Sequence, residues 1–343
     1  MVVFLAATYL LLLACAWAKP TTISNVVPRR DTDGAIMDAH DSKLVLKDGV
    51  FHWFAASYGN CTEPKGNSGC ASVAIGGCGF RTDHNVSLYT STDLATWKNE
   101  GVVFAAAGLL PPQSVLFAPK TVYNARTQMW VMYFNYITGS FSNSFYGVAQ
   151  APTPAGPFAI VNHNVALRYQ DNGDENLFVD DDGAGYLIYT TLSAGHAMSI
   201  ERLSDNFTTS LGAAASSGLF GDTGVEAPMM FKRGSTYYAV FGPCCCYCGA
   251  GSQVSVYTAQ HPLGPYVRQP GGPLPNLSSQ STDIFSYVDS SGNAQFMFIG
   301  DHWQSAPDGL KSHDFTVWAP LSFAADGTMA SSGFQNSFTV DVA

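Results

Sequence analysis

Pairs of short apolar segments, each pair joined by a polar turn, recur along the chain. Residues 43–47 and 50–57 flank Asp48-Gly49, and residues 174–179 and 184–191 flank an acidic turn that ends at Gly183. An Asp-Gly pair supplies the positive φ angles that a tight hairpin turn requires. The pattern therefore predicts β-hairpins, and three further pairs follow the same plan: residues 115–123 with 129–135, 226–231 with 236–241, and 282–288 with 294–299.

The hairpins form five repeated units, with turns at Gly49, Thr127, Gly183, Gly234 and Gly292. Their spacing of roughly 50 to 80 residues is typical of the blades of a β-propeller. The sequence contains neither a long amphipathic helix nor a linker, so we predict an all-β fold: a single five-bladed β-propeller over residues 19–343. A β-sandwich is the alternative, but it does not explain the short closing motifs that follow the hairpins.

The start of the chain has the pattern of a secretory signal. Residues 4–14 are almost wholly apolar, and Ala16-Trp17-Ala18 offers a cleavage site. We therefore predict a signal peptide over residues 1–18 and a secreted, extracellular protein. Asn-x-Ser/Thr sequons fit this interpretation as glycosylation sites, and they begin at Asn60, Asn85, Asn206 and Asn276.

The charge of the chain excludes two classes of partner. Its net charge is −10, with only 16 lysine and arginine residues. Nucleic acids and anionic lipids both require a basic face, which this composition does not supply. We expect a monomer that binds neither nucleic acid nor membrane.

The cysteines of the mature chain fall into two clusters. Cys15 leaves with the signal peptide, and the others are Cys61, Cys70, Cys78, Cys244, Cys245, Cys246 and Cys248. Because a secreted chain usually oxidises such thiols, we predict disulfides between or within the clusters, with a thiolate zinc site as the alternative. The number is odd, so one thiol remains free or pairs with another chain.

Each hairpin begins near a polar residue with apolar neighbours. The first strands of all propeller blades line a central channel, where these residues meet: Asp41, Lys120, Asp174, Glu226 and Gln280. Burial raises the pKa of a carboxyl group, and convergent carboxylates suit glycosidic hydrolysis, with one as acid and another as base. A non-catalytic glycan-binding propeller is the second interpretation, although such a protein has no need of three carboxylates together.

Several motifs resemble those of family 43 glycoside hydrolases. They are His40-Asp41, Phe117-Ala118-Pro119, residues 174–183, Glu226-Ala227-Pro228 before Tyr237-Tyr238, and the closing motifs at 93–97, 155–158 and 263–266. The resemblance covers residues 31–323 and implies a five-bladed propeller that cleaves O-glycosidic bonds with inversion. It further implies that Asp41 is the general base, that Asp174 tunes and orients the proton donor, and that Glu226 is the general acid.

Residues 299–303 and 316–321 look most like the branch of that family that contains exo-β-1,3-galactanases. That branch often lacks an aspartate at the base position and can use a glutamine of a late blade, so Gln280 competes with Asp41. Lys120 departs from the family, which often has aspartate there.

The resemblance implies a polysaccharide or oligosaccharide substrate of β-galactan, arabinan or xylan type. The residues expected to contact it are His40, Tyr58, Phe117, Gln280, His302 and Trp303. The rings of Tyr58, Phe117 and Trp303 are expected to offer sugar-stacking faces at the channel mouth, with core packing as the alternative for Phe117. Some family members hold calcium in the channel, but no acidic loop of this chain has EF-hand spacing, so we predict neither metal nor cofactor.

Overall fold

The computed structural model describes residues 20–62, 74–244 and 247–343. The predicted signal peptide lies outside these residues, as do Cys70, Cys245 and Cys246. Within them the chain forms five four-stranded sheets and one two-stranded sheet, which confirms the predicted five-bladed β-propeller. No helix in these three ranges is long and apolar enough to cross a membrane.

The strands follow one another in chain order within each blade, every blade being a four-stranded antiparallel sheet. After β1 (Thr21–Ser24), blade 1 contains β2 (His40–Lys47), β3 (Val50–Ser57), β4 (Asn85–Ser91) and β5 (Lys98–Ala105). Blade 2 contains β6 (Ser114–Asn124), β7 (Met129–Thr138), β8 (Ser140–Ala151) and β9 (Ala159–Asn162). Blade 3 contains β10 (Asn172–Val179), β11 (Gly185–Thr191), β12 (Ala197–Arg202) and β13 (Ser216–Phe220).

Blade 4 contains β14 (Val225–Arg233), β15 (Thr236–Pro243), β16 (Ser255–Ala259) and β17 (Val267–Arg268). Blade 5 contains β18 (Gln280–Val288), β19 (Ala294–His302), β20 (Phe315–Phe323) and β21 (Met329–Ser331). The last strand, β22 (Ser337–Val340), pairs with β1. Two short 3-10 helices lie at Ala213–Ala215 and Lys311–His313.

The predicted hairpins form the two inner strands of each blade. In blade 1, Lys47 pairs with Val50 across a two-residue turn. Asp48 and Gly49 have φ angles of 53° and 77°, the left-handed values that a type I′ turn needs at both central positions. The Asp-Gly pair therefore sets the register of this hairpin.

Large apolar side chains fill the space between neighbouring blades. One buried cluster joins blade 1 to blade 5 through Trp53, Trp97, Phe285 and Trp318, so the ring closes by packing as well as by the β1–β22 pair. Four other clusters join blades 1 and 2, 2 and 3, 3 and 4, and 4 and 5. The core is thus divided into blade interfaces, which leaves the innermost strands around a central channel.

Each innermost strand carries a β-bulge near its beginning. In β2, His40 pairs with Ala56 but Lys43 pairs with Phe54, so the inner strand has one extra residue. The same one-residue insertion occurs between 117 and 120, 172 and 175, 226 and 229, and 281 and 283. Because a bulge bends the strand and turns a side chain out of the regular alternation, it changes the direction of residues at the channel mouth.

Candidate active site

The polar residues predicted to meet do so at one mouth of the channel. Asp41, Lys120, Asp174 and Gln280 line a common cavity, although they come from four different blades. Glu226 adjoins them, since its Oε1 accepts a 2.9 Å hydrogen bond from Nε2 of Gln280. The bulges of the innermost strands place all five at this end.

Asp41 is held in an unusual backbone conformation. Its φ angle is 49°, a left-handed value that is uncommon for a residue with a side chain. Its backbone N–H donates to Oδ2 of Asp301 at 2.8 Å, and its own Oδ2 accepts from the Tyr58 hydroxyl. Burial and the charge of Asp301 raise the pKa of Asp41, while the Tyr58 hydrogen bond lowers it.

Asp174 faces the same cavity from blade 3. Burial and the charge of Asp41 raise the pKa of Asp174 to about 6, against the opposing effects of Lys120 and of the hydrogen bond from Ala227. That bond joins the Ala227 N–H to Oδ2 of Asp174 at 3.0 Å. Asp174 is therefore attached to the strand that carries Glu226, and it can titrate near neutral pH.

Glu226 is positioned by a chain of two hydrogen bonds. Nε1 of Trp303 donates to Oε1 of Gln280 at 2.8 Å, which fixes the amide so that its nitrogen faces Glu226. The amide then donates to Oε1 of Glu226. Cys244 also forms a side-chain hydrogen bond with Glu226, so the carboxyl group is held by residues of two kinds.

Two lysines occupy the channel below the carboxylates. Nζ of Lys120 donates to the carbonyl oxygens of Asp41, Ser42 and Thr282 at 3.0, 2.8 and 2.9 Å. Nζ of Lys43 donates to Asn176 and Asp283, both at 2.9 Å.

A calcium ion takes six to eight oxygen ligands. In the described part of the channel, the two lysine ammonium groups hydrogen-bond to five oxygen atoms, whereas the buried carboxylate of Glu175, which lines the same cavity, does not hydrogen-bond to either lysine. The absence of a metal stays a prediction.

Two of the aromatic residues expected to stack on sugar, Tyr58 and Trp303, are buried and form a supporting wall instead. Tyr58 is 1% exposed and Trp303 is 0% exposed, so neither ring face is open to a ligand. Nζ of Lys311 lies 3.6 Å from the ring centre of Trp303, 3.7 Å from that of Tyr247 and 4.8 Å from that of Tyr58. The expectation of direct stacking on Tyr58 and Trp303 is corrected: their faces are covered by a buried ammonium group and by one another.

Neither of the two predicted histidines is among the residues that line the cavity. His40 is 0% exposed; burial lowers its pKa, but Asp301 and Asp38 outweigh this effect and raise it to about 9. His40 thus supports the wall from within the core, with its Nδ1 3.4 Å from Oδ1 of Asp301. His302 packs near Phe334, with ring centres 6.2 Å apart. Burial closes His40 off from the substrate, whereas contact by the partly exposed His302 stays a prediction.

Phe117 remains suitable for sugar contact. It is partly exposed, and it packs edge-on against Phe80, with 5.6 Å between ring centres. One part of the ring is therefore anchored and another is open at the channel mouth.

Several residues that organise the site were not predicted from the sequence. Asp301 and Lys311 are fully buried supports, and Asp38 holds the turn at Tyr58 through the N–H groups of Tyr58 and Gly59. Asp301 lies within the quoted segment 299–303, directly before His302, and Asp38 lies two residues before the quoted His40-Asp41 pair, so an acid close to a histidine was an available signal. Nothing in the sequence around Lys311 indicated its position among three rings.

The cysteine prediction is confirmed for one pair. Cys61 and Cys78 form a disulfide, and Cys248 is also disulfide-bonded. Among the described cysteines, Cys244 is free. Partial burial, the charges of Glu226 and Asp174, and a hydrogen bond with Glu226 raise the pKa of the Cys244 thiol.

Known structures share this architecture. An exo-β-1,3-galactanase from Clostridium thermocellum matches with a TM-score of 0.76 and 23% identity, over 93% of this chain and 67% of that one. A β-1,3-galactosidase solved with galactodeoxynojirimycin matches with a TM-score of 0.74 and 22% identity, over 92% of this chain and 99% of that one. An exo-β-1,3-galactanase variant from Phanerochaete chrysosporium was solved with β-1,3-galactotriose. It matches with a TM-score of 0.74 and 22% identity, over 94% of this chain and 69% of that one. At these identities the likeness establishes the fold.

The sequence comparisons give the family. No curated protein sequence matches the chain significantly. The family profile described as glycosyl hydrolases family 43 matches residues 76–329, which is most of the chain and includes blades 2, 3 and 4 in full. The chain belongs to glycosyl hydrolases family 43.

Proposed function

We propose that this glycosidase removes galactose from the ends of β-1,3-linked galactan chains, with inversion of configuration. The observation that carries the proposal is the meeting of three carboxylates, each from a different blade, around one cavity mouth. Two carboxyl groups are the minimum for acid–base cleavage of a glycosidic bond. The choice of sugar is supported by the structural neighbours, which include galactanases and a galactosidase.

Glu226 is the proton donor in this proposal. The Gln280 amide donates a hydrogen bond to Oε1 and so positions the carboxyl group that gives its proton to the leaving oxygen. Asp174 holds the beginning of the same strand through the N–H of Ala227. It therefore positions the donor, and its negative charge above about pH 6 lies beside a site where an oxocarbenium-like cation develops.

Asp41 is the better of the two candidates for the base. Gln280 is hydrogen-bonded at both ends of its amide, to Trp303 and to Glu226. Asp41 accepts from Tyr58 through Oδ2, and its Oδ1 has no hydrogen-bond partner among the described residues, so that oxygen can receive a water. The raised pKa of Asp41 makes it a stronger base.

Export of the enzyme remains part of the proposal. The apolar segment at residues 4–14 and the Ala-x-Ala site support a cleaved leader. Polymeric galactan is an extracellular type of substrate, so the two proposals agree. Amino-terminal sequencing of the protein from culture medium would test it, with cleavage after Ala18 as the expected result.

The role of Glu226 is tested by comparing leaving groups. Glu226→Gln should lower kcat by about 10²–10⁴-fold on β-1,3-galactobiose, whose leaving group needs a proton. The loss should be much smaller on 4-nitrophenyl β-galactoside, whose leaving group does not. Glu100→Gln, an exposed site on β5, is the control and should match the wild type on both substrates.

Two results would contradict the proposal. Equal losses on the two substrates in Glu226→Gln would remove Glu226 from proton donation. Faster cleavage of aryl α-arabinofuranosides or β-xylosides than of the galactoside would assign the enzyme to a different sugar.

A further inference from the structure

A second group of reactive side chains lies against the proton donor. The possible metal-binding atoms of His196, Glu226 and Cys244 all lie within 4.8 Å of one another. Nδ1 of His196 is 2.8 Å from Sγ of Cys244. The group combines a nitrogen, a sulfur and a carboxylate oxygen, and its histidine and cysteine have no part in the acid–base chemistry described above.

The backbone holds the three residues together. His196 ends the loop before β12 in blade 3, and its carbonyl accepts from the N–H of Val225 at 3.0 Å, next to Glu226. Cys244 follows β15 in blade 4, and its N–H donates to the carbonyl of Gly224 at 2.8 Å. Each of the two residues is thus tied directly to the segment that leads into Glu226.

The separations suit a metal ion. Zinc binds sulfur at about 2.3 Å and nitrogen or oxygen at about 2.0–2.2 Å in tetrahedral geometry. Ligand atoms around such an ion are therefore about 3.3–3.6 Å apart, within the span of this group. Opening the Sγ–Nδ1 contact by less than about 1 Å would admit the ion.

The ligand types select the class of ion. Thiolate and imidazole favour zinc and related transition metals, whereas calcium and magnesium prefer oxygen ligands alone. Three protein ligands leave one tetrahedral position for water. Cys244 is exposed, so an ion from solvent can reach the group.

We propose that His196, Cys244 and Glu226 form a zinc site that inhibits the enzyme when it is occupied. Zinc binding displaces the thiol proton of Cys244 to solvent and takes the carboxylate of Glu226 as a ligand. A carboxylate bound to zinc cannot carry the proton that the leaving group requires. The inhibition rests on the proposed role of Glu226, whereas the binding does not.

Binding is tested without reference to activity. The full chain, freed of metal with its disulfides intact, is titrated with ZnCl₂ in a calorimeter and with CoCl₂ in a spectrophotometer. We expect one equivalent to bind, and the cobalt form to show the charge-transfer absorption of a thiolate ligand. Cys244→Ser should lose that absorption, and Cys244→Ser and His196→Ala should each weaken zinc binding by more than about 10–100-fold, the effect typical of a second-shell change.

Controls separate this site from other histidines and other ions. His163→Ala removes an exposed histidine outside the group and should bind zinc as the wild type does. Calcium and magnesium at the same concentration should leave the rate unchanged. Unfolding midpoints of all variants establish that they are folded, and zinc affinity unchanged in Cys244→Ser or His196→Ala would overturn the site.

Inhibition is then measured with β-1,3-galactobiose, whose leaving group needs the proton, each variant relative to its own zinc-free rate. We expect zinc to inhibit the wild type and His163→Ala, EDTA to restore the rate, and the two ligand variants to resist zinc. If zinc binds through Cys244 and His196 while β-1,3-galactobiose is still cleaved at the full rate, the inhibitory part of the proposal fails; the acid role of Glu226 is decided separately, by Glu226→Gln on the two leaving groups. The binding site itself would stand.

Discussion

Replacement of Asp174 by asparagine should stabilise the protein at high pH while lowering its activity. The folded state raises the pKa of Asp174 from 3.8 to about 6, chiefly because the carboxylate is buried. This group therefore binds its proton more tightly in the folded protein than in the unfolded chain. Its stabilising contribution is complete below pH 3.8 and is lost as the pH rises through about 6.

The size of the effect follows from the same values. A rise from 3.8 to about 6 corresponds to about 3 kcal/mol at most. Asparagine retains one side-chain oxygen that can accept from the Ala227 N–H in place of Oδ2 of Asp174, but it carries no charge. The stability of Asp174→Asn relative to the wild type should thus increase by up to about 3 kcal/mol between pH 3.5 and pH 8.

The measurement is urea denaturation of both proteins at a series of pH values, followed by tryptophan fluorescence. The quantity used is the change with pH in the difference between the unfolding free energies of the two proteins. An effect of the substitution on packing that does not depend on pH therefore cancels. Asp180→Asn is the control with the opposite sign: burial raises its pKa, but hydrogen bonds from Lys232 and Tyr237 lower it overall. Its relative stability should fall as pH rises, and a flat or falling curve for Asp174→Asn would refute the argument.

Two further predictions concern the base and the stereochemistry. Tyr58→Phe removes a hydrogen bond that lowers the pKa of Asp41, so the low-pH limb of kcat/KM should move to higher pH. Tyr136→Phe is the control: it removes a hydroxyl that donates to the carbonyl of His163, and it should leave the limb in place. An unmoved limb in Tyr58→Phe would contradict Asp41 as base. Proton NMR in the first minutes of hydrolysis should show the anomer opposite to that of the substrate, because a water between base and sugar gives a single displacement; retained configuration would overturn the mechanism.

The fold could be predicted because local and global signals agree. Asp48-Gly49 and the turn at Gly183 each specify a hairpin, and the apolar runs on both sides specify buried strands. Repetition of that unit then favours a propeller. The positions of Asp41, Asp174 and Glu226 at the channel mouth follow from strand order, since the first strand of each blade is innermost.

The surroundings of the site could not be predicted in the same way. Tyr58 and Trp303 were expected at an open surface, but Lys311, more than 250 residues after Tyr58 in the chain, closes over both rings. A contact of that kind depends on how loops from different blades meet. No periodicity within a segment encodes it. The same reason applies to Cys244 and His196, which come from separate blades.

The Ala-Pro pairs of the family motifs have a role in the backbone. Ala118 and Ala227 have φ angles of 44° and 54° and lie in the bulges of β6 and β14, where proline has no N–H to give to the ladder. Asp41 adopts the same conformation in β2 without a following proline.

In two blades the N–H released by the bulge finds a carboxylate on a neighbouring blade. The N–H of Asp41 donates to Asp301, and the N–H of Ala227 donates to Asp174. Asp174 thus has two reasons to be an aspartate: it satisfies a buried donor, and its charge lies beside the reaction. Asparagine could still satisfy the buried donor, but it carries no charge. The activity and the pH-dependent stability of Asp174→Asn therefore distinguish the structural role of this residue from its electrostatic role.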